Sequence, residues 1–316
     1  MRATAPSDLW PRQFLRPALI VLALGLLLLG RAAFAGGEMA YGQGLLWKIE
    51  RDSIERDSLA PSYLFGTIHV TDERVLNLPA EVAQAFDGAR SATFEVIMTD
   101  ELRMDLAKAM IAPPDRTLDK VLSPALYDDA MAAGARYGLA PAQLRYFKPW
   151  ALAMFLSVPQ AEFARSATGV LPLDQALQDR AQAQGKPVHQ LETGAEQIAL
   201  FNELTEADQL AMLESAIRDN AEIEALFEGL TARYLARDVG AIHSEMIEQS
   251  KSMDDRLVKM FLLRFNEARN RIMVQRMAPR LGEGGAFIAI GALHLPGETG
   301  LLSLLAAQGY QISRVY

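Results

Sequence analysis

The chain is 316 residues long and half hydrophobic, with 31 Lys and Arg against 39 Asp and Glu, a formal net charge of −8 and no cysteine. The absence of cysteine rules out disulfides, a thiol nucleophile and a lipid carried on an N-terminal cysteine, so stability has to come from an apolar core. The acidic balance argues against nucleic acid as a partner.

Arg2, Arg12 and Arg16 lead into an uncharged apolar run from Pro17 to Gly30, and Ala33-Phe34-Ala35 supplies small residues at the spacing of a cleavage site. This pattern predicts a secretory signal peptide over 1–35, cut after Ala35, and a periplasmic or secreted protein. The apolar run is shorter than the roughly 20 residues a membrane-crossing helix needs, so no stable membrane span is expected after cleavage, the alternative being an uncleaved anchor. Residues 36–316 then carry 27 basic and 38 acidic side chains, a net charge of −11. No linker or low-complexity tract divides them, and one large domain with a helical insertion is expected.

From 44 to 51 apolar and polar residues alternate, and a polar turn follows to Pro61. Ser62-Tyr63-Leu64-Phe65-Gly66-Thr67-Ile68-His69 is then a strand-like run that closes on a glycine, two residues and a histidine. A hairpin over 46–69 is expected. Pro79 and Gly88 bracket a short helix over 78–86, and 91–96 reads as a strand whose period of two puts Glu95 opposite Phe94. From about 99 to 177 the pattern is helical, with breaks expected at Pro113-Pro114, Gly134, Gly138, Pro141, Pro149 and Pro159. This is the candidate insertion, and its Met and aromatic content reads as core packing. Leu173-Asp174 opens a helix to Gln184 that Gly185 stops, and 187–193 is a strand with Glu192 near its end. A helical run over 195–277 follows, with breaks expected near Thr205, Gly229 and Gly240. Arg269-Asn270-Arg271 lies at its end, facing either solvent, the default for such a charge cluster, or an acidic site.

The stretch Ala286-Phe287-Ile288-Ala289-Ile290-Gly291-Ala292-Leu293-His294 repeats the earlier design of strand, glycine, two residues and histidine. A loop, a helix over 299–307 stopped by Gly309, and a strand over 310–316 complete the chain. The expected class is α/β (α+β): a mixed central β-sheet from strands near 46, 63, 91, 188, 286 and 310, flanked by helices.

A buried strand packs on both faces and has no use for an imidazole, so a histidine just past its end belongs at the sheet rim, where open α/β sheets place ligands. Gly66 and Gly291 leave room for a backbone or ligand to approach. His69, His294, Glu95 and Glu192, all at strand ends, are donors that a divalent cation of the Zn, Mn, Co or Fe type accepts. His189 and His243 lack the G-x-x-H context and read as structural. There is no H-E-x-x-H helix and no G-x-S-x-G, so hydrolysis here would use a metal-bound or base-activated water.

Tyr-Leu-Phe-Gly-Thr-Ile-His at 63–69, Phe94-Glu95, Lys148-Pro149-Trp150, Leu191-Glu192-Thr193 with Glu196-Gln197, Arg269-Asn270 and Gly-Ala-Leu-His-Leu-Pro-Gly at 291–297 together resemble the TraB/GumN family, from about 46 to 316. The resemblance implies a place in the EreA/ChaN-like superfamily, beside erythromycin-esterase-like hydrolases and haem-binding proteins. It also implies a Tiki-like metallopeptidase that uses the two G-x-x-H histidines and a glutamate with a divalent metal (Mn, Co or Zn). Carried over, His69 and His294 are metal ligands, and Glu95 is a third ligand or the base that activates water. Glu192, Arg269 and Asn270 match further motif positions. The segment from Gly169 to Asp174 departs from the family pattern. The alternative reading is a non-catalytic periplasmic ligand-binding or accessory protein, for haem or a polysaccharide. On the leading reading the partner is a peptide or small-molecule substrate.

Overall fold

The computed structural model describes residues 39–51, 59–250 and 262–316. The expected signal peptide lies outside the described residues, as does most of the polar turn before the second strand. Among the described residues no helix is long and apolar enough to cross a membrane. Two compact units are formed, one from Met98–Val170 with Ala195–Phe227, the other from the residues up to Ile97 with Leu171–Gly194 and Glu228–Tyr316.

The first unit is helical. Its centre is the helix Pro149–Leu156, in which every residue is buried. It packs against Glu206–Asp219, and Trp150 stacks on Phe201 with ring centroids 5.1 Å apart. Where the chain turns after Asp219, Asn220 donates to the Tyr137 hydroxyl and to the Leu156 carbonyl, both at 2.8 Å. Burial pushes the Tyr137 hydroxyl up to about 12. Thr205 caps Glu206–Asp219 as its position predicts. Gly134, expected to break a helix, is the penultimate residue of Pro124–Ala135, so the break comes one residue after it. A Cβ there would stand 2.4 Å from Leu144 Cδ1, so the glycine serves close packing and its backbone stays helical. Gly229 likewise falls within Ile223–Leu235, and the break comes after it, where Arg237 takes a φ of 63° before the helix Val239–Ser250.

Among the described residues the second unit holds six strands: β1 Leu46–Glu50, β2 Ser62–Thr67, β3 Ser91–Phe94, β4 Val188–Gln190, β5 Ala286–Gly291 and β6 Gln311–Arg314. They form one mixed sheet in the order β4-β3-β5-β2-β1-β6. The expected hairpin is present, with β1 antiparallel to β2 and Leu46 opposite Phe65. β2, β5, β3 and β4 run parallel, with Thr67 opposite Gly291 and Phe94 opposite Ala289. Central β5 is buried along almost its whole length, as a strand covered on both faces must be. On one face Met273, Val274, Met277 and Leu281 of the helix Ala268–Glu283, with Leu301, Leu302 and Leu305 of Leu301–Ala307, pack on Leu64, Ile288 and Ile290. Phe287, between β3 and β2, meets Phe86 of the helix Ala80–Gly88 edge-on at 5.1 Å. Each such side chain contributes on the order of 1.5–3 kcal/mol on burial. The helix expected to end near 277 runs on to Glu283, because Gly284 at a φ of 68° provides the stop.

Candidate functional site

Parallel register decides where the chemistry gathers. β2, β5, β3 and β4 all end on the same edge of the sheet, and within a few residues of those ends come His69, His294, Glu95 and Glu192. Both G-x-x-H glycines are crowded there. A Cβ on Gly66 would lie 2.7 Å from Leu295 Cδ1 and 3.1 Å from Ala292 Cα, and one on Gly291 would lie 3.0 Å from Glu95 Oε1. The glycines therefore admit the neighbouring loop and the Glu95 carboxylate, respectively.

Glu95 accepts from the Gly291 N–H at 2.6 Å and from Arg269 Nη2 at 2.8 Å. Burial alone would raise its carboxyl, but the Arg269 charge, the two imidazoles and the Gly291 N–H outweigh it and hold the group down at about 2. Glu192 is brought in by the chain after β4, where its N–H donates to the Glu95 carbonyl at 2.7 Å. Its carboxylate takes a forked pair from Arg269, Nε to Oε1 at 2.8 Å and Nη2 to Oε2 at 2.6 Å. Arg269 stands in the first turns of Ala268–Glu283 and also donates Nη1 to the Phe265 carbonyl at 3.0 Å. Of the two surroundings open to it from sequence, the acidic one holds: only 13% of its side chain is exposed. Burial opposes its charge, yet Glu192 and Glu95 keep its pKa above the ordinary arginine value.

His294, at the end of the 3-10 turn Ala292–His294, is buried. Its Nδ1 is 2.5 Å from Asn270 Oδ1, an oxygen acceptor that assigns the ring proton to Nδ1 and the lone pair to Nε2. That Nε2 is 3.2 Å from Arg269 Nη1 and 4.0 Å from Glu95 Oε1. Burial and the Arg269 charge push its pKa down to about 3, so the ring is neutral. Asn270 is itself fixed, donating to Asn266 Oδ1 and to the Thr299 carbonyl, while Asn266 donates to the Leu293 carbonyl. Asn266 belongs to the π-helical stretch Leu262–Glu267, a geometry frequent at functional sites.

His69 makes a different pair. Its Nδ1 is 2.5 Å from Asp174 Oδ2, and Thr67 Oγ1 donates to Asp174 Oδ1. Burial pulls the imidazole pKa down, but the Asp174 charge and hydrogen bond win and raise it above 6.5. Glu95 and Arg269 act on the same ring electrostatically, and His69 on His294, so the five predicted side chains share one electrostatic neighbourhood.

Three contributors were not legible as such. Asp174 is an acidic residue in the first turn of Leu173–Ala183, which any helix favours. Tyr234, buried, donates to the Gly66 carbonyl at 2.8 Å, and Asn266 sits on an ordinary-looking helical run. Only the G-x-x-H context of their partners could have pointed toward them. His189 pairs with Arg280 at 3.1 Å, and His243 is half-buried with its pKa lowered by burial.

The donors fit a divalent cation in type: each histidine has Nδ1 anchored by an oxygen, the usual way a protein orients a ligating imidazole, and Glu95 is ionised. They are not assembled around one. Ligands of a tetrahedral ion with bonds of ~2.1 Å lie roughly 3.4 Å apart, against 4.0 Å between His294 Nε2 and Glu95 Oε1. Among the described residues no three His, Asp or Glu side chains form a ready metal-binding group. The guanidinium of Arg269 lies among them instead.

The family model described as the TraB/PrgY/gumN family matches residues 45–314. Curated relatives include the zebrafish (Danio rerio) "Metalloprotease TIKI1", 25% identical over 84% of this chain and 62% of its own length, and "Metalloprotease TIKI2" from the same animal, 26% identical over 84% and 60%. A "Metalloprotease TIKI homolog" of Nematostella vectensis is 21% identical over 85% and 66%. The chain thus spans about three fifths of the length of the first two. No solved structure gives a significant match.

Proposed function

We propose that this chain, which belongs to the TraB/PrgY/gumN family, is an exported, metal-dependent hydrolase of the peptidase type. The observation that carries the reading is the meeting of both G-x-x-H units with Glu95 on one edge of parallel strands. The relatives named metalloproteases imply a divalent metal for their own reaction and support the same class here. The identity of the ion (Mn, Co or Zn), the periplasmic or secreted address and the peptide substrate belong to this proposal.

The residues divide the work by their chemistry. His69 and His294 present Nε2 as donors, held in that tautomer by Asp174 and Asn270. Glu95 is the third donor. A base working near neutral pH needs a raised pKa, whereas, against its burial, the Arg269 charge and the Gly291 N–H hold Glu95 well below the ordinary carboxylate range. That favours the ligand role over the base role for this carboxylate. Gly291 holds Glu95 through its N–H, and Tyr234 holds the Gly66 carbonyl beneath the first histidine. Bound there, a divalent ion supplies a Lewis acid and an activated water.

A second reading, a ligand-binding protein without turnover, draws on the Arg269 contacts, which already satisfy both glutamates. Metal analysis of untagged mature protein, with digestion of a peptide library by wild type, His69→Ala and His294→Ala, separates the two. The proposal expects bound divalent metal and cleavage that both variants lose. Cleavage retained in either variant, or none under any metal, sinks the peptidase reading.

A further inference from the structure

The side chain at the centre of the cluster is a permanent cation. Arg269 reaches three of the candidates around it: Nη2 is 2.8 Å from Glu95 Oε2 and 2.6 Å from Glu192 Oε2, and Nη1 is 3.2 Å from His294 Nε2. The last contact uses the one lone pair that His294 can offer a metal, because its Nδ1 is committed to Asn270. The Glu95 and Glu192 carboxylates, 12% and 6% exposed, both face this guanidinium. A dication held by Glu95 and His294 would need the atoms that Arg269 now holds.

We propose that Arg269 is a built-in occupant of the metal position: it holds Glu95 and His294 in the metal-free protein and gives both up when a divalent cation binds. The proposal rests on the metal-dependent reading of the site. Glu192 then has a role distinct from that of a ligand. The Glu192 side chain keeps its forked contact to Nε and Nη2 by turning with Arg269, while Nη1 leaves the Phe265 carbonyl and His294. Arg269 therefore acts against the ion as well as for the fold, and the wild-type affinity is the difference between the two occupants. Strong pairing in the empty site lowers the apparent affinity for the cation, since the competing contacts have to be broken first.

The test is a titration with Co2+ of the mature wild type, Arg269→Gln, Arg269→Lys and Arg269→Ala, read by visible absorption and calorimetry, with circular dichroism to report folding. Arg269→Gln is expected to bind Co2+ roughly tenfold or more tightly than wild type, because a positive charge a few Å from the ion has gone. Guanidinium chloride at millimolar concentration is expected to refill the vacated space in Arg269→Ala, to weaken its Co2+ binding competitively, and to leave wild type unchanged. Should the neutral variants not fold without metal, Arg269→Lys keeps the charge but loses the fork, and is expected to bind more tightly than wild type. A role for Arg269 in positioning the ligands would give the opposite result, a loss of roughly 10–100-fold in the variants. Wild type that binds Co2+ while the folded variants bind no tighter overturns the occupant role and leaves the metal reading standing. If neither wild type nor any variant binds Co2+, the metal reading fails and the occupant role falls with it.

Discussion

Acid should weaken this protein well above the pH at which carboxylates titrate, and His294 supplies the main reason. Its pKa is about 3 in the folded protein, against 6.5 for the unperturbed side chain, because burial and the Arg269 charge both disfavour the imidazolium. The unfolded chain therefore binds a proton near pH 6.5 that the folded chain refuses until about pH 3. Stability falls throughout that window as pH drops. One pKa unit corresponds to 1.36 kcal/mol, so lowering the pH from 6.5 to 5 costs about 2 kcal/mol through this residue. Glu95, held at about 2, adds its own loss only below its ordinary value of 4.5, and His69, whose pKa is raised, is protonated in both states at pH 5. His243, lowered by burial, bends the curve in the same direction as His294. The measurement is therefore a difference: urea unfolding of chelator-treated wild type and His294→Gln at pH 6.5 and 5, followed by tryptophan fluorescence. Glutamine has a donor and an acceptor for Asn270 and Arg269 but no titration. The wild type should lose about 2 kcal/mol more than the variant over this interval. Equal losses in the two proteins would refute the neutral, buried imidazole.

The opposite sign is expected for His69. Its raised pKa gives stability that is fully present below pH 6.5 and is lost as pH rises through the folded value. Asp174→Asn should remove that alkaline loss and lower the imidazole pKa, read from the ring proton shifts by NMR. An unchanged titration would break the pair. Gly291→Ala should cost about 1–3 kcal/mol and displace Glu95, because the new methyl comes 3.0 Å from its Oε1. Thermal unfolding together with a crystal structure of the variant checks it, and a Glu95 left in place at full stability would count against the crowding described.

Much of the scaffold was legible because its signals are local. Alternation in Leu46–Glu50, β-rich runs in Ser62–Thr67 and Ala286–Gly291, and glycines at 185 and 309 each place an element from its own neighbours. Local signals failed at some breaks and ends. Gly229 is a breaker by propensity but lies inside Ile223–Leu235, and β4 is three residues long although a strand was expected over 187–193.

The sequence by itself determined the two G-x-x-H units, the carboxylates at strand ends and the family they resemble, since spacing along a strand is a property of the chain. Tertiary structure alone decided that these ends share one edge, because the order β4-β3-β5-β2 joins segments far apart in sequence. It also decided the surroundings of Arg269: a cation on a helix face suits water or carboxylates equally, and only the fold brings Glu95 and Glu192 to it. Asp174 is the same case in reverse, an ordinary first-turn acid until the crossover from β2 sets His69 against it at 2.5 Å.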